Sequence, residues 1–214
     1  MARVPGAMPV KSRLHGALTA EGATALYRCF LLDRLDALAR VPGIAPVVAF
    51  TPAHAADAMA ALAPAGFALL PQHDGELGER LTRLLDGLLV AGHPGAIAMD
   101  SDSPTLPMAY VARAAQTLAE GAADVVLGPC DDGGYYLVGV RASRPALFED
   151  IPWSTDAVLA TTLARARTLG ARVVTLPAWF DVDTEDDLVR LHTAMRAAES
   201  PPARTFAFVE ALYG

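Results

Sequence analysis

The sequence predicts a layered α/β/α domain with a mostly parallel sheet, and three observations support this class. Short β-branched or apolar runs alternate with longer stretches rich in Ala, Leu and Arg. Most of the short runs are continuously apolar, as in strands that are buried on both faces. The longer stretches carry apolar residues at helical spacing, such as Leu31, Leu35 and Leu38. Alternation of this kind places helices against both faces of one sheet.

The apolar runs predict the strands Pro46–Thr51, Phe67–Leu70, Ala96–Met99, Asp124–Leu127, Tyr135–Val140 and Arg172–Leu176. The longer stretches predict the helices Ala20–Ala39, Ala53–Leu62, Leu77–Leu89, Met108–Glu120, Asp156–Leu169 and Glu185–Ala197. Thr19, Thr155 and Thr184 precede three of these helices and are expected to cap them. Gly170 follows the fifth helix, where a left-handed residue is favoured.

Length and the final segment predict the domain organisation. A chain of 214 residues fits one domain. Pro201 and Pro202 end the last predicted helix, so we expect a single domain over residues 1–199 and a C-terminal tail over residues 200–214.

Composition excludes several functional classes. Apolar residues make up 53% of the chain, which is enough for a substantial core, and the net charge of −7 disfavours binding to nucleic acid or anionic membranes. Cys29 and Cys130 lie far apart, which does not support a disulfide framework or a zinc module. Neither a signal peptide nor an apolar run of the ~20 residues needed to span a bilayer is found. We therefore expect a cytoplasmic enzyme.

Two aspartates directly after a predicted strand suggest a cation site. Asp100 and Asp102 follow Ala96–Met99, and a turn with Pro104 comes next. Residues i and i+2 at a strand end can face one point, and carboxylate oxygens are the ligands that Mg²⁺ prefers. The alternative is a turn in which the aspartates accept hydrogen bonds from backbone N–H groups. Their position after a central strand favours the metal interpretation.

A second pair, Asp181 and Asp183, lies just before the predicted helix Glu185–Ala197. Asp183 is a candidate for a further metal ligand. Capping by Thr184 and the helix dipole explain the acidic residues 185–187. They do not explain Asp181 and Asp183.

A loop between two predicted strands combines acidic, glycine and aromatic residues: Asp131, Asp132, Gly133, Gly134, Tyr135 and Tyr136. Paired glycines allow a ligand to approach the backbone closely. The carboxylates are candidates to orient or deprotonate a hydroxyl acceptor. Asp-Gly is also a strong hairpin signal, and both interpretations hold together.

Two segments of this acidic chain carry basic residues that suggest phosphate binding. Arg3, Lys11 and Arg13 lie in a segment rich in Pro and Gly, which suggests a polyphosphate clamp. A solvated terminus is the alternative. Arg80 lies in the first turns of the predicted helix Leu77–Leu89, and helix N-termini bind anions.

Six motifs in this order resemble those of the DUF2064 group, which are small bacterial GT-A-type proteins distantly related to the molybdenum-cofactor and phospholactate nucleotidyltransferases. The resemblance runs from about Ala2 to about Leu191. The motifs are Arg3-Val4-Pro5 with Val10-Lys11-Ser12-Arg13-Leu14, Leu77-Gly78-Glu79-Arg80, Ser101 to Pro107, Asp132 to Leu137, Ile151 to Thr155, and Asp181 to Leu188.

The resemblance implies the GT-A fold of nucleotide-diphospho-sugar transferases and assigns three sets of residues. Nucleotide phosphates would be held by Arg3, Lys11, Ser12, Arg13, Gln72 and Arg80. Mg²⁺ or Mn²⁺ would be held by Asp102, Asp100 and Asp183. The acceptor would face Gly133, Gly134, Tyr135, Trp153, Ser154 and Thr155, with Asp132 and Asp131 as catalytic residues.

Two positions depart from the group's pattern. Met8 stands where the group has a glycine, and the apolar strand that usually precedes the loop at Arg3 is not found. We therefore expect the first strand of the sheet to be missing, with Thr205–Glu210 as a candidate to fill its place.

The expected function is Mg²⁺-dependent transfer of a sugar from a nucleotide-sugar to a small acceptor. One alternative is a nucleotidyltransferase that condenses an NTP with a phosphorylated small molecule and releases pyrophosphate. Another is a non-catalytic nucleotide-binding domain, which Met8 favours and the retained Asp102, Asp132 and Asp183 oppose. No residue pattern specifies an oligomeric state.

Overall fold

A computed structural model describes residues 1–214 and contains alternating strands and helices. The strands are β1 (Ala2–Arg3), β2 (Val47–Thr51), β3 (Ala68–Pro71), β4 (Ala96–Met99), β5 (Val125–Pro129), β6 (Tyr135–Val140) and β7 (Val173–Thr175). The helices are α1 (Ala20–Leu38), α2 (Ala56–Ala60), α3 (Leu77–Val90), α4 (Met108–Ala119), α5 (Val158–Thr168), α6 (Glu185–Ala197) and α7 (Ala203–Tyr213). None of these helices is both long enough and apolar enough to cross a membrane.

The strands form two adjacent groups with the orders β1-β2-β3 and β4-β6-β5-β7. All pairings in the first group are parallel, and so is β5 with β7. Strand β6 runs antiparallel to both β4 and β5. The predicted α/β class with a mostly parallel sheet is therefore confirmed.

Helices cover both faces of the second group of strands. Alternate residues of a strand point to opposite faces of the sheet, so each strand contributes side chains to two core clusters. Val125, Leu127 and Val138 pack in one core cluster with residues of α3 and α5. Val126 and Leu137 pack in another with residues of α4. The strands are thus buried on both sides, which explains their continuous apolar sequences.

The predicted helix caps are found at two of three positions. Thr19 accepts a hydrogen bond from the Gly22 N–H, and Thr184 forms a capping box with Asp187. Thr155 does not cap α5 itself, because the helix begins only at Val158, but its hydroxyl accepts from the Ala157 N–H (3.3 Å) in the turn before it. There the Leu159 N–H donates to the Gly133 carbonyl oxygen (2.8 Å), so a neighbouring loop holds the start of the helix.

The first strand is short but present. Ala2 pairs with Phe50 and Arg3 with Thr51 at the end of β2, so the expectation that this strand is missing is wrong. Next to it, the Met1 nitrogen donates to the Met99 carbonyl oxygen of β4 (2.6 Å).

The segment Thr205–Glu210 does not replace a strand; it is part of helix α7. Phe206 and Val209 have helical spacing and contribute to a core cluster beside α1. Pro202 directly precedes the helix, where a fixed φ is compatible with helix entry. One carboxylate oxygen of Asp33 in α1 accepts from the Thr205 N–H (2.8 Å) and fixes the start of α7.

Because β1 is only two residues long, no strand bridges the first residues of β2 and β4. A cavity of about 190 Å³ lies there. Val47 of β2 and Ile97 of β4 line it, together with Leu88 of α3 and Val111 of α4. Since α3 and α4 cover opposite faces, this cavity lies within the sheet layer.

Candidate functional site

A second cavity, of about 460 Å³, opens where strands β1 to β4 end. Loops that follow parallel strands meet at one edge of a sheet, which is where α/β proteins bind ligands. Ten of the predicted site residues line it: Arg3, Lys11, Ser12, Arg13, Gln72, Arg80, Asp100, Asp102, Tyr135 and Asp183. The structure thus brings the predicted phosphate-binding and metal-binding residues into one cavity.

Lys11 lies at the centre of the charged groups in this cavity. Its Nζ is 2.6 Å from Asp102 Oδ1 and 2.9 Å from Asp183 Oδ1, and its side chain is only 3% exposed. Burial lowers the pKa of Lys11, but the two carboxylates outweigh burial and the net pKa is raised. The ammonium group therefore stays charged and holds the two aspartates together.

Asp100 lies deeper and is only partly satisfied. Its Oδ2 accepts from the Ser103 hydroxyl (2.7 Å), while its buried Oδ1 has no hydrogen-bond partner. Burial, followed by repulsion from Asp102, raises the pKa of Asp100 to about 6, and Arg34 opposes that rise. The turn interpretation is not borne out, because the bond within this turn comes from the Ser103 hydroxyl and neither Asp100 nor Asp102 accepts from a backbone N–H group.

Two further polar residues near the site, Arg34 and Tyr27 of α1, were not predicted from the sequence. Arg34 is buried and donates to the Leu106 carbonyl oxygen (3.0 Å). Tyr27 Oη accepts from the Arg3 N–H (3.0 Å) and shares a hydrogen bond of 2.9 Å with Ser101 Oγ. Both lie within a helical pattern of apolar residues, and spacing alone does not distinguish them from the core stripe.

Gln72 and Arg80 form a hydrogen-bonded pair in the lining of the cavity. The Gln72 amide nitrogen donates to the carbonyl oxygens of Ala2 (3.3 Å) and Ala49 (2.8 Å), and its oxygen accepts from Arg80 Nη1 (3.0 Å). The buried Nε of Arg80 has no partner. Gln72 therefore holds a guanidinium group with free hydrogen-bonding capacity against the cavity.

The predicted acceptor-side residues mostly lie outside this lining. Asp132 Oδ1 accepts from the Gly134 N–H (2.8 Å), as the hairpin interpretation expects, and Asp131 pairs with Arg190 (2.7 Å). Gly133 has a φ of +87°, and a Cβ there would lie 2.2 Å from the Asp156 carbonyl oxygen.

Trp153 lines a neighbouring cavity of about 400 Å³. Its ring contacts edge-on the ring of Tyr135, which lines the first cavity, with centroids 6.4 Å apart. Ser154 has a φ of +65°, and the Thr155 hydroxyl donates to the Pro152 carbonyl oxygen (2.7 Å). The acceptor role of these residues remains a prediction.

Asp181 was noted in the sequence but not chosen as a site residue. Burial, followed by repulsion from Asp183 and Asp132, raises the pKa of Asp181 to about 7. Its carboxylate, that of Asp132 and the Cys130 sulfur all lie within 4.8 Å of one another. The Asp-x-Asp spacing was the signal that pointed to it.

The donor set fits a hard divalent cation. Asp102 and Asp183 already converge on one positive charge, and Asp100 has an unpartnered oxygen in the same cavity, although the ligand atoms of these three do not all lie within 4.8 Å of one another as those of Cys130, Asp132 and Asp181 do. Carboxylate oxygens are what Mg²⁺ and Mn²⁺ take in proteins. The group around Cys130 suits these ions less well, because a thiolate is a softer ligand.

The fold is similar to that of known structures. A protein from Desulfovibrio desulfuricans G20, provisionally assigned as a nucleotide-diphospho-sugar transferase, is 30% identical with a TM-score of 0.89; the alignment covers 98% of this chain and 93% of that one. CMP:2-keto-3-deoxy-manno-octonic acid synthetase with CTP is 16% identical (TM-score 0.54, covering 78% and 87%). A cytidylyltransferase from Leptospira borgpetersenii serovar Hardjo-bovis is 13% identical (TM-score 0.55, covering 98% and 91%). The last two likenesses concern the fold alone.

Among curated proteins, no sequence matches this chain. The model of the family described as "Uncharacterized protein conserved in bacteria (DUF2064)" matches residues 34–155, which is more than half of the chain. The chain therefore belongs to the DUF2064 family and has the fold of the nucleotide-diphospho-sugar transferases.

Proposed function

We propose that this protein is a divalent-metal-dependent transferase that moves a sugar from a nucleotide-sugar to a small acceptor. One observation carries the proposal: cations suited to phosphate and carboxylates suited to a metal line the same cavity. The cations are Arg3, Lys11, Arg13 and Arg80, and the carboxylates are Asp100, Asp102 and Asp183. The assignment of the 30% identical relative as a nucleotide-diphospho-sugar transferase supports this substrate class.

In this reaction the acceptor hydroxyl oxygen attacks the anomeric carbon. The bond from that carbon to the diphosphate oxygen breaks, and the nucleoside diphosphate leaves. A divalent ion held by Asp102, Asp183 and Asp100 would neutralise charge that develops on the diphosphate. Lys11 and Arg80 add positive charge to the same place.

Asp132 is the proposed base that takes the acceptor proton. It is exposed in the loop between β5 and β6, three residues before Tyr135, which lines the cavity. If Asp132 has this role, Asp132→Asn lowers kcat by ~10²-fold or more and leaves nucleotide affinity within about twofold. Isothermal titration together with initial rates measures both, and an equal loss of affinity and rate would count against this role.

Nucleotidyl transfer is the second candidate, and one observation favours it. Four cationic side chains are enough for a triphosphate, and the cytidylyltransferases named above share the fold. A phosphate oxygen of the acceptor would attack the α-phosphorus, and pyrophosphate would leave. Product analysis separates the two reactions, because one releases a nucleoside diphosphate and the other pyrophosphate.

A thermal-shift screen of nucleotides and nucleotide-sugars, with and without Mg²⁺, tests the shared site. A ligand at 100 times its Kd raises the midpoint by roughly 5–10 °C in a protein of this size. We expect a Mg²⁺-dependent shift that Asp102→Asn abolishes. The matched control is Asp57→Asn, at an exposed position of α2 that does not line the cavity. No shift with any nucleotide would contradict the proposal.

A further inference from the structure

We propose that the Lys11 ammonium occupies the cation position between Asp102 and Asp183 until phosphates bind, so that the protein binds a divalent ion tightly only together with its nucleotide. The inference rests on the proposed function and adds an order of binding to it. It treats Lys11 as the residue that couples the two ligands.

The ion pairs place Lys11 where a metal would have to be. Both Asp102 Oδ1 and Asp183 Oδ1 lie within hydrogen-bond distance of the single Nζ atom, at 2.6 and 2.9 Å. A cation that binds these two oxygens needs the space the ammonium group fills. A metal ion bound to the same two oxygens would lie next to the ammonium group, and two positive charges so close together repel each other. Metal and ammonium therefore compete for the same two carboxylates.

The backbone at Lys11 is fixed, so the side chain is the part that moves. Lys11 has a φ of +50°, in the left-handed region, and the buried Val10 and Leu14 anchor the chain on either side. The lysine stem has four rotatable carbons and reaches past Phe30, whose ring centroid lies 5.9 Å from Nζ. The ammonium group can thus leave the carboxylates while its Cα stays in place.

Phosphates at the cavity mouth are the natural second partner for this ammonium group. Ser12 and Arg13 follow Lys11 directly, and the Arg13 side chain is 73% exposed at 3.6 Å from Asp183. An anion bound there attracts Lys11 outwards and frees the aspartates for the ion that accompanies it. In thermodynamic terms each ligand raises the affinity for the other by the same factor.

The residue type at position 11 fits this role. Lys11 is the sole lysine of the chain, in which the other sixteen of the 17 basic residues are arginines. A guanidinium group would bind the two carboxylates through several directed donors, whereas an ammonium group is a compact charge that transfers easily between acceptors. A lone lysine also provides a specific spectroscopic probe.

The first experiment measures Mn²⁺ binding without nucleotide, from the paramagnetic resonance signal of free Mn²⁺. We expect Lys11→Met to bind Mn²⁺ on the order of tenfold more tightly than the wild type. Arg13→Met is the matched control, since it removes a positive charge near Asp183 without vacating the ion position, and its gain is expected to stay below about threefold. Equal gains in both variants, or no gain in Lys11→Met, would overturn the inference.

A second measurement uses the wild-type protein and does not depend on whether a variant folds. Lysine labelled with ¹⁵N at Nζ gives one side-chain ammonium signal. We expect Mg²⁺ with inorganic pyrophosphate to shift it, and millimolar Mg²⁺ alone to leave it unchanged. A signal that shifts with Mg²⁺ alone, or that shifts neither with Mg²⁺ alone nor with Mg²⁺ and pyrophosphate, would refute the proposed coupling.

These outcomes separate the inference from the proposed function. A Mg²⁺-dependent thermal shift with a nucleotide, combined with tight Mn²⁺ binding by the free wild type, would leave the function standing and refute the role of Lys11. Absence of Mn²⁺ binding in all three proteins, together with no nucleotide shift, would refute both.

Discussion

The Tyr27 hydroxyl connects the two groups of strands, and its removal gives a prediction with a defined size. Tyr27 is 2% exposed, and its Oη is bonded to the Arg3 N–H of β1 and to Ser101 after β4. Tyr27→Phe keeps the buried ring, so it creates no large cavity. It leaves two polar groups without this partner, and a buried group left in that state costs about 1–3 kcal/mol.

We expect Tyr27→Phe to lower the free energy of unfolding by about 1–3 kcal/mol, or the midpoint by roughly 2–12 °C. In urea unfolding, an unchanged dependence of the free energy of unfolding on urea concentration would show that the substitution acts on stability without changing how much surface unfolding exposes. Tyr213→Phe is the matched control, since Tyr213 is 40% exposed and stacks on His192 through its ring. The reasoning fails if Tyr27→Phe costs less than about 0.5 kcal/mol, or if the control costs as much.

Three further predictions concern a carboxylate with a raised pKa, a glycine with positive φ and an aspartate that holds the start of a helix. The pKa of Asp181 is raised from 3.8 to about 7, so its contribution to stability is complete below pH 4 and is lost as the pH rises through 7. Asp181→Asn should therefore raise the thermal unfolding midpoint more at pH 8 than at pH 4. A gain that does not depend on pH would count against this. Gly133→Ala should lower the free energy of unfolding by more than about 2 kcal/mol, because φ is positive and the Asp156 backbone occupies the space of a Cβ. Gly87→Ala, in open space on α3, should raise that free energy by about 0.5–1 kcal/mol. Denaturant unfolding of both variants checks the contrast. Asp33→Asn should lower the free energy of unfolding by about 1–3 kcal/mol, because Asp33 accepts hydrogen bonds from the Thr205 N–H and the Arg204 side chain. Asp36→Asn removes the more exposed partner of Arg204 and should cost under about 1 kcal/mol in the same assay.

The strand and helix pattern could be predicted because it depends on burial. Strands such as Ala96–Met99 and Tyr135–Val140 are apolar on both faces, and their observed bounds are those predicted. The apolar pattern gave a wrong prediction at Thr205–Glu210, which was a candidate strand and is part of helix α7. Phe206 and Val209 contact the core through one helical face, and Asp33, far away in sequence, fixes the start of that helix.

The candidate site was predictable where chemistry leaves a local signature. Asp100 and Asp102 at a strand end, and Lys11 in a basic segment, meet in one cavity because the carboxyl ends of parallel strands meet there. Tyr27 carried no such signal. Its role depends on the distance between α1 and the loop after β4, which no spacing in the sequence encodes.

Asp100 and Asp181 are unfavourable for folding near neutral pH, when both carboxyl groups tend to be charged. Asp100 and Asp181 both have raised pKa values, caused first by burial and then by neighbouring aspartates. Near neutral pH, folding must therefore bring together negative charges that a chain selected for stability alone would avoid. Lys11 offsets part of that repulsion at Asp102 and Asp183, but the free oxygen of Asp100 faces no partner. A divalent cation would supply the missing positive charge at Asp100, and its stabilising effect should grow as the pH rises through 6, where this carboxyl group loses its proton.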